Sequence, residues 1–442
     1  MYTEKELKEA TQIAYLSFLS QAQENLKADG NKGPFTIREL IKSCINVQSA
    51  FDLAIADGVP KEKITLHEIV QYSDLKDFDK SIIERLSRDM FDWKIIHIQD
   101  LNSFNGFYAC CIETSPQEAI VAFRGSENMR DFSNAFHDWG QADIALVNSR
   151  STRQQEEAEH YADFLLKNGL LERYESLAVT GHSLGGNLAT HFTISAATEE
   201  RKKIFNKINQ SVNFDGPGVS GEYLEEHSQK IEKAASKISH LKWSPVGSLL
   251  FDIPGEKCEF LGTKKLESNR LIDKIKYKFT RHDTKRLIFN EFGRAQRGKQ
   301  DEFSKKLSAF SRAIDDFVPE SITTEIAAAT DWIFERILRI KEGRALEFND
   351  VSWAERFCKQ GSIIGTCVNF VNKAVDIFKE GALALQNEIG EFFNPTAPQL
   401  TPKLALADVN GAISADYRGF NISSQNSARN VFGRKSNRDR EY

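Results

Sequence analysis

The chain holds no run of about 18 uncharged apolar residues, so no segment reads as a membrane-spanning helix. It has little excess charge: 58 Lys and Arg against 63 Asp and Glu give a formal −5. No basic stripe appears before the tail, and a nucleic-acid partner is not expected. The opening residues, Met1-Tyr2-Thr3-Glu4-Lys5-Glu6-Leu7-Lys8-Glu9, carry several acids and no early apolar stretch. A Sec-type signal peptide is therefore not expected, and the expected location is the cytoplasm, or outside it by a route without such a signal. Cysteine is sparse. Cys44, Cys110, Cys111, Cys258, Cys358 and Cys367 are scattered without metal-ligand spacing, so they read as reduced, buried thiols. No metal and no organic cofactor is implied. Cys110 and Cys111, adjacent in an expected strand, should point to opposite faces of it. No internal repeat is present.

What is there is a 442-residue chain, long enough for one large core with appendages. Residues 1–92 read as a helical lead-in. Residues 4–30 and 36–55 each show an apolar face at helical spacing, and short helices are expected over 65–72 and 79–92. From Trp93 the pattern changes to strands alternating with helices. Strands are expected at 94–97, 107–113, 118–123, 177–179, 211–214, 238–243 and 258–262, with helices over 154–168, from the elbow to about Arg201, and over 222–236. That alternation implies an α/β domain, 93–297, built on a mainly parallel, doubly wound sheet. After it, 298–393 reads as a helical C-terminal module and 394–442 as a flexible polar tail.

The chain is organised around Leu-Ala-Val-Thr-Gly-His-Ser-Leu-Gly-Gly-Asn-Leu-Ala at 177–189. Its centre, Gly181-His182-Ser183-Leu184-Gly185, fits a nucleophile elbow, and its setting of apolar strand, tight turn and helix is the one the motif needs. Such a turn lifts the serine hydroxyl to the top of the sheet beside a helix N-terminus, where free N–H groups favour a developing oxyanion. A serine hydroxyl needs a base, and the base an acid, in the chain order Ser, then Asp or Glu, then His. His282, in a polar loop beyond the last strand signal, is the expected base. His240 lies inside an expected strand and reads as structural. Two acids stay open: Asp215, in the turn Asn213-Phe214-Asp215-Gly216-Pro217-Gly218, and Asp252, in Leu250-Phe251-Asp252-Ile253-Pro254. Asp283 is too close to His282 in sequence to orient it. For the oxyanion hole, the N–H of Leu184 and the Phe123-Arg124-Gly125-Ser126 turn are expected, with Ser126 adding its hydroxyl.

These residues resemble a family. Val121-Ala122-Phe123-Arg124-Gly125-Ser126 together with Gly181-His182-Ser183-Leu184-Gly185-Gly186 are similar to the class 3 (fungal-type) lipases, and more closely to a related bacterial lipase-like branch. Further matches are the 213–218 turn, Ser244-Pro245-Val246-Gly247-Ser248-Leu249-Leu250, and the His282-Asp283 pair. The resemblance covers about 104–292. It implies an α/β-hydrolase with Ser183 as nucleophile, His282 as base and Ser126 as an oxyanion residue, acting on lipid or other acyl esters. In those lipases the acid stands in an Asp-x-Val-Pro segment. Here the segment begins with Ser244, which favours Asp215 as a displaced acid and leaves open a non-hydrolytic binding protein on a decayed fold. The stretch after Ser126, with Phe132, Phe136 and Trp139, corresponds to the lid region of those lipases, or reads as an ordinary helix packed on the core. Residues 322–341 offer a face for a membrane surface or for core packing. The C-terminal helices also suit a partner-binding module of a secreted effector.

Overall fold

Two apolar runs, Glu118–Phe123 and Ser176–His182, pair in parallel at the middle of the sheet, with Ala119 opposite Leu177 and Phe123 opposite Gly181. Such strands are apolar throughout because helices cover both of their faces. The computed structural model describes residues 1–125, 152–266, 277 and 281–317. Ser126, the expected lid stretch, the part of the expected C-terminal module beyond residue 317 (322–341 included) and the expected tail lie outside the described residues.

Among the described residues one sheet runs in strict chain order. Its strands are β1 (Phe35–Thr36), β2 (Lys94–Leu101), β3 (Phe107–Ser115), β4 (Glu118–Phe123), β5 (Ser176–His182), β6 (Ile208–Phe214), β7 (Ile238–Lys242) and β8 (Lys257–Phe260). Neighbours from β1 to β4 are antiparallel, and those from β4 to β8 are parallel. This is an α/β-hydrolase sheet, with the ends of β4, β5, β6 and β7 opening on one edge. β1 adds to the expected pattern: the lead-in contributes a two-residue edge strand paired with Lys94 and Ile95.

The helices divide between the faces. α1 (Glu4–Ile13), α2 (Leu19–Ala28), α3 (Ile37–Ser43), α4 (Val47–Ala56), α5 (Leu66–Gln71) and α6 (Asp77–Ile83) belong to the lead-in. Leu7, Ala10, Ile13, Leu40 and Ile83 pack with Ile95, Cys110, Ile112, Ala122, Val212 and Phe214. A short helix, α7 (Asn102–Asn105), joins β2 to β3. On the other face, α8 (Arg153–Lys167) and α9 (Leu184–Ser195) meet Ala109, Cys111, Val121, Phe123 and Val179. Cys110 and Cys111 thus do lie on opposite faces. α10 (Lys202–Lys207), α11 (Gly221–Glu226), α12 (Ser228–Ala234) and α13 (Glu302–Phe317) complete the described helices.

Several expected helices are broken in two. The 4–30 stretch bends over 14–18, where the side chain of the buried Asp79 takes the Ser17 N–H and hydroxyl at 2.8 and 2.7 Å. The 36–55 stretch restarts at Asn46, whose side chain accepts the Ser49 N–H. In both, a side chain offers the backbone an alternative to the helical ladder.

Candidate active site

The elbow begins with close packing. β5 ends at His182, Ser183 turns, and α9 starts at Leu184. A Cβ on Gly181 would sit 2.0 Å from the Gly185 carbonyl oxygen, and one on Gly185 would sit 2.4 Å from that of Phe123. Only glycine lets these segments approach so closely. Ser183 itself has φ 59° and ψ −137°. An L-residue held there costs of order 1–3 kcal/mol and persists because its surroundings determine it. They do so here: the Ser183 N–H donates to the Phe214 carbonyl at 3.0 Å, and its carbonyl accepts from Gly186 at 2.7 Å. Every residue of α9 is buried. Leu184 is its first residue, so its N–H is one of the first-turn amides with no partner inside the helix.

Asp215 follows β6 in the turn that the Gly-Pro sequence suggested, and it too has a positive φ of 55°. Its carboxylate is fully buried. One oxygen, Oδ1, accepts the N–H groups of Trp243 and Ser244 at 2.8 and 3.0 Å. The other, Oδ2, lies 2.7 Å from His282 Nδ1. Burial by itself would raise the Asp215 pKa. The hydrogen bond and charge of His282, with the donors at 243 and 244, outweigh burial and hold it below the usual carboxylate range.

A carboxylate at Nδ1 fixes the tautomer of His282: Nδ1 carries the proton and Nε2 the basic lone pair. Nε2 is buried and has no hydrogen-bond partner among the described residues. The loop is held from two sides, by Trp243 Nε1 donating to the Arg281 carbonyl at 2.7 Å and by Arg281 pairing with Asp301. Ser244 stands where the resembling lipases have a carboxylate. Its hydroxyl lies 3.1 Å from His282 Nδ1. The carboxylate reaches the imidazole from the end of β6, and the Ser244 hydroxyl reaches the same nitrogen from beyond β7.

His182 occupies the variable place in the elbow. Its imidazole stacks on Trp243 at 5.8 Å and lies 4.6 Å from that of His282. Its Nε2 donates to the His282 carbonyl at 3.0 Å. Burial, reinforced by nearby His282, lowers its pKa to about 3, so it stays neutral.

Asp252 is placed elsewhere. It pairs with Lys242 and lies 3.7 Å from His240. His240 donates from Nε2 to the Gly216 carbonyl at 2.8 Å and faces Glu256 at 3.3 Å. His240, Asp252 and Glu256 have the composition of a cation site. Lys242 and Arg312 already bring positive charge to Asp252. Asp283 does not contact the imidazole; its side chain takes the Lys285 N–H and its ammonium. Ser126 lies outside the described residues, which end this turn at Gly125.

The family model for Mbeg1-like proteins matches residues 93–335, more than half of the chain. The chain belongs to the Mbeg1-like family. Comparison with curated proteins finds no match. Among solved structures it is similar to M37 lipase, at 13% identity over 55% of this chain and 69% of that one, with a TM-score of 0.29. A triacylglycerol lipase from Penicillium expansum matches at 16% identity over 39% and 71%, with a TM-score of 0.29. The Rhizomucor miehei lipase in its propeptide complex matches at 15% over 49% and 65%, with a TM-score of 0.25. In this Mbeg1-like chain the hydrolase fold rests on its own strand order and elbow.

The elbow and His282 were legible in sequence, and of the two acids left open there Asp215 is the one that meets the imidazole. Ser244, Trp243 and His182 were not legible, as their roles are contacts of side chain to loop. The Ser-Pro-Val-Gly segment signalled the first of these, since a loss of carboxylate there invites the question of what replaces it.

Proposed function

We propose that this chain is a serine carboxylic-ester hydrolase acting on lipid acyl esters, a lipase or phospholipase. One observation carries the reading: a buried carboxylate, Asp215, grips Nδ1 of His282 and leaves Nε2 as the buried base beside a strained serine elbow. Ser183 Oγ attacks the ester carbonyl while His282 Nε2 takes its proton. The new O–C bond gives a tetrahedral oxyanion, received by the Leu184 N–H and by donors at Ser126, each worth about 2.7–4 kcal/mol at the transition state. The ester C–O bond breaks, the alcohol leaves with the proton from His282, and water repeats the sequence to release the acid. Asp215 holds the ring and stabilises the imidazolium. Lipid substrates follow from the resemblance to class 3 lipases. The rival, a binding protein on the same fold, rested on the missing carboxylate at Ser244, and the Asp215–His282 contact speaks for the hydrolase.

The test is labelling by a fluorophosphonate probe alongside fatty-acid release from phospholipid vesicles. Ser183→Ala should abolish labelling. Asp215→Asn should lower kcat by about 10⁴, the scale of losing the tautomer-fixing acid in a triad. Asp252→Asn should leave it within about two-fold, since that carboxylate pairs with Lys242 and not with the base. A folded wild type that neither labels nor releases acid overturns the reading.

A further inference from the structure

Tyr15 carries the lead-in to the elbow. The chain leaves α1 in a turn, with the Tyr15 N–H donating to the Gln12 carbonyl at 3.0 Å. The turn carries the Tyr15 hydroxyl to the end of β4. There Gly125 N–H donates to Tyr15 Oη at 3.0 Å. The same oxygen lies 3.4 Å from the His182 carbonyl and 3.5 Å from His182 Nδ1. A Cβ on Gly125 would stand 2.8 Å from Tyr15 Oη and 3.0 Å from Ser183 Cβ, so hydroxyl, glycine peptide and nucleophile are immediate neighbours.

The directions of these bonds agree. His182 Nε2 gives its proton to the His282 carbonyl, so neutral His182 presents a lone pair at Nδ1. Both groups of His182 near Tyr15, that lone pair and the carbonyl, are acceptors, so in either contact the phenol is the donor. That leaves the phenol's oxygen to accept from Gly125. The result is a one-way chain from the Gly125 amide through Tyr15 and His182 to the backbone of the base.

We infer that Tyr15 is a positioning residue of the active site: its hydroxyl ties the turn after β4, which leads into the proposed oxyanion residue Ser126, to the elbow and to the His282 loop. The inference rests on the hydrolase reading above. Tyr15 lies outside the stretch matched by the family model, so the lead-in supplies part of the catalytic frame.

Tyr15→Phe removes the hydroxyl and keeps the ring. Expected for a soluble short-chain ester are a kcat lower by about ten-fold, the scale of one hydrogen bond lost at a preorganised site, with KM unchanged. A boronic acid, which mimics the tetrahedral oxyanion when bound to serine, should bind the variant weaker by the same factor. The far-UV spectrum and melting temperature should match wild type. Wild-type kcat in the variant, a loss confined to KM, or a loss that follows a fall in melting temperature would each overturn the role of Tyr15 while leaving the hydrolase standing. A wild type inert to ester and boronic acid alike would overturn both.

Discussion

At the level of single residues, the acid is the point of interest. His282 is served by Asp215 from the end of β6 and by the Ser244 hydroxyl from beyond β7. Because both touch the same nitrogen, the two positions are interchangeable in principle. Asp215→Asn should be nearly inactive, and adding Ser244→Asp should restore activity by at least about ten-fold over the single variant, since a carboxylate at either place can fix the tautomer. Turnover of a soluble ester by the two purified, folded variants checks this; no gain in the double variant would show that only the β6 route presents the carboxylate usefully. The turn that holds Asp215 was legible because Gly and Pro after a strand announce it, while the choice between Asp215 and Asp252 was not. Nor was Tyr15. It lies on a stretch whose periodicity speaks only of core, and nothing in its neighbours marks a hydroxyl that meets residues more than a hundred positions away.

Among elements, the elbow depends on β4, β5 and α9 lying closer than side chains allow. Gly181→Ala would place a methyl 2.0 Å from the Gly185 carbonyl oxygen, which is backbone and cannot rotate away. The expected result is a loss of several kcal/mol of stability, as for other overpacked or strained sites, with labelling lost in whatever folds. Urea denaturation of the variant reads it, and a midpoint like that of wild type would show that the strand and helix have room to part. The strands were legible because buried parallel strands are runs of apolar residues. The broken helices of the lead-in were less so. No Gly or Pro stands at 14–18 or 44–46, and the breaks come from Asp79 and Asn46 competing for backbone donors.

For the whole molecule, burial of neutral histidines sets the response to acid. The folded pKa of His182 is lowered to about 3, against about 6.5 unfolded. Burial lowers those of His97 and His227 as well. Between the two values the unfolded chain binds more protons, so this contribution is full above about pH 6.5 and is lost as pH falls toward 3. Asp215, also lowered, acts with the same sign further into acid. Melting temperature should therefore fall steadily from pH 7 to pH 4, and His182→Phe should flatten that slope. An unchanged slope would assign the acid sensitivity to other groups.

The chain order of these parts has a temporal consequence. Glu4 pairs with Arg297, and α1 is clamped against the loop that follows His282. β5 and Ser183 are therefore made long before His282, and His282 before Arg297, which pairs with α1. At about 5–20 residues per second, the hundred or so residues between Ser183 and Arg297 take roughly 5–20 s to synthesise. Throughout that interval a nascent chain carries Ser183 without the Glu4–Arg297 pair that clamps α1 to the His282 loop. The contact that closes α1 onto the loop after His282 forms only once that interval has passed.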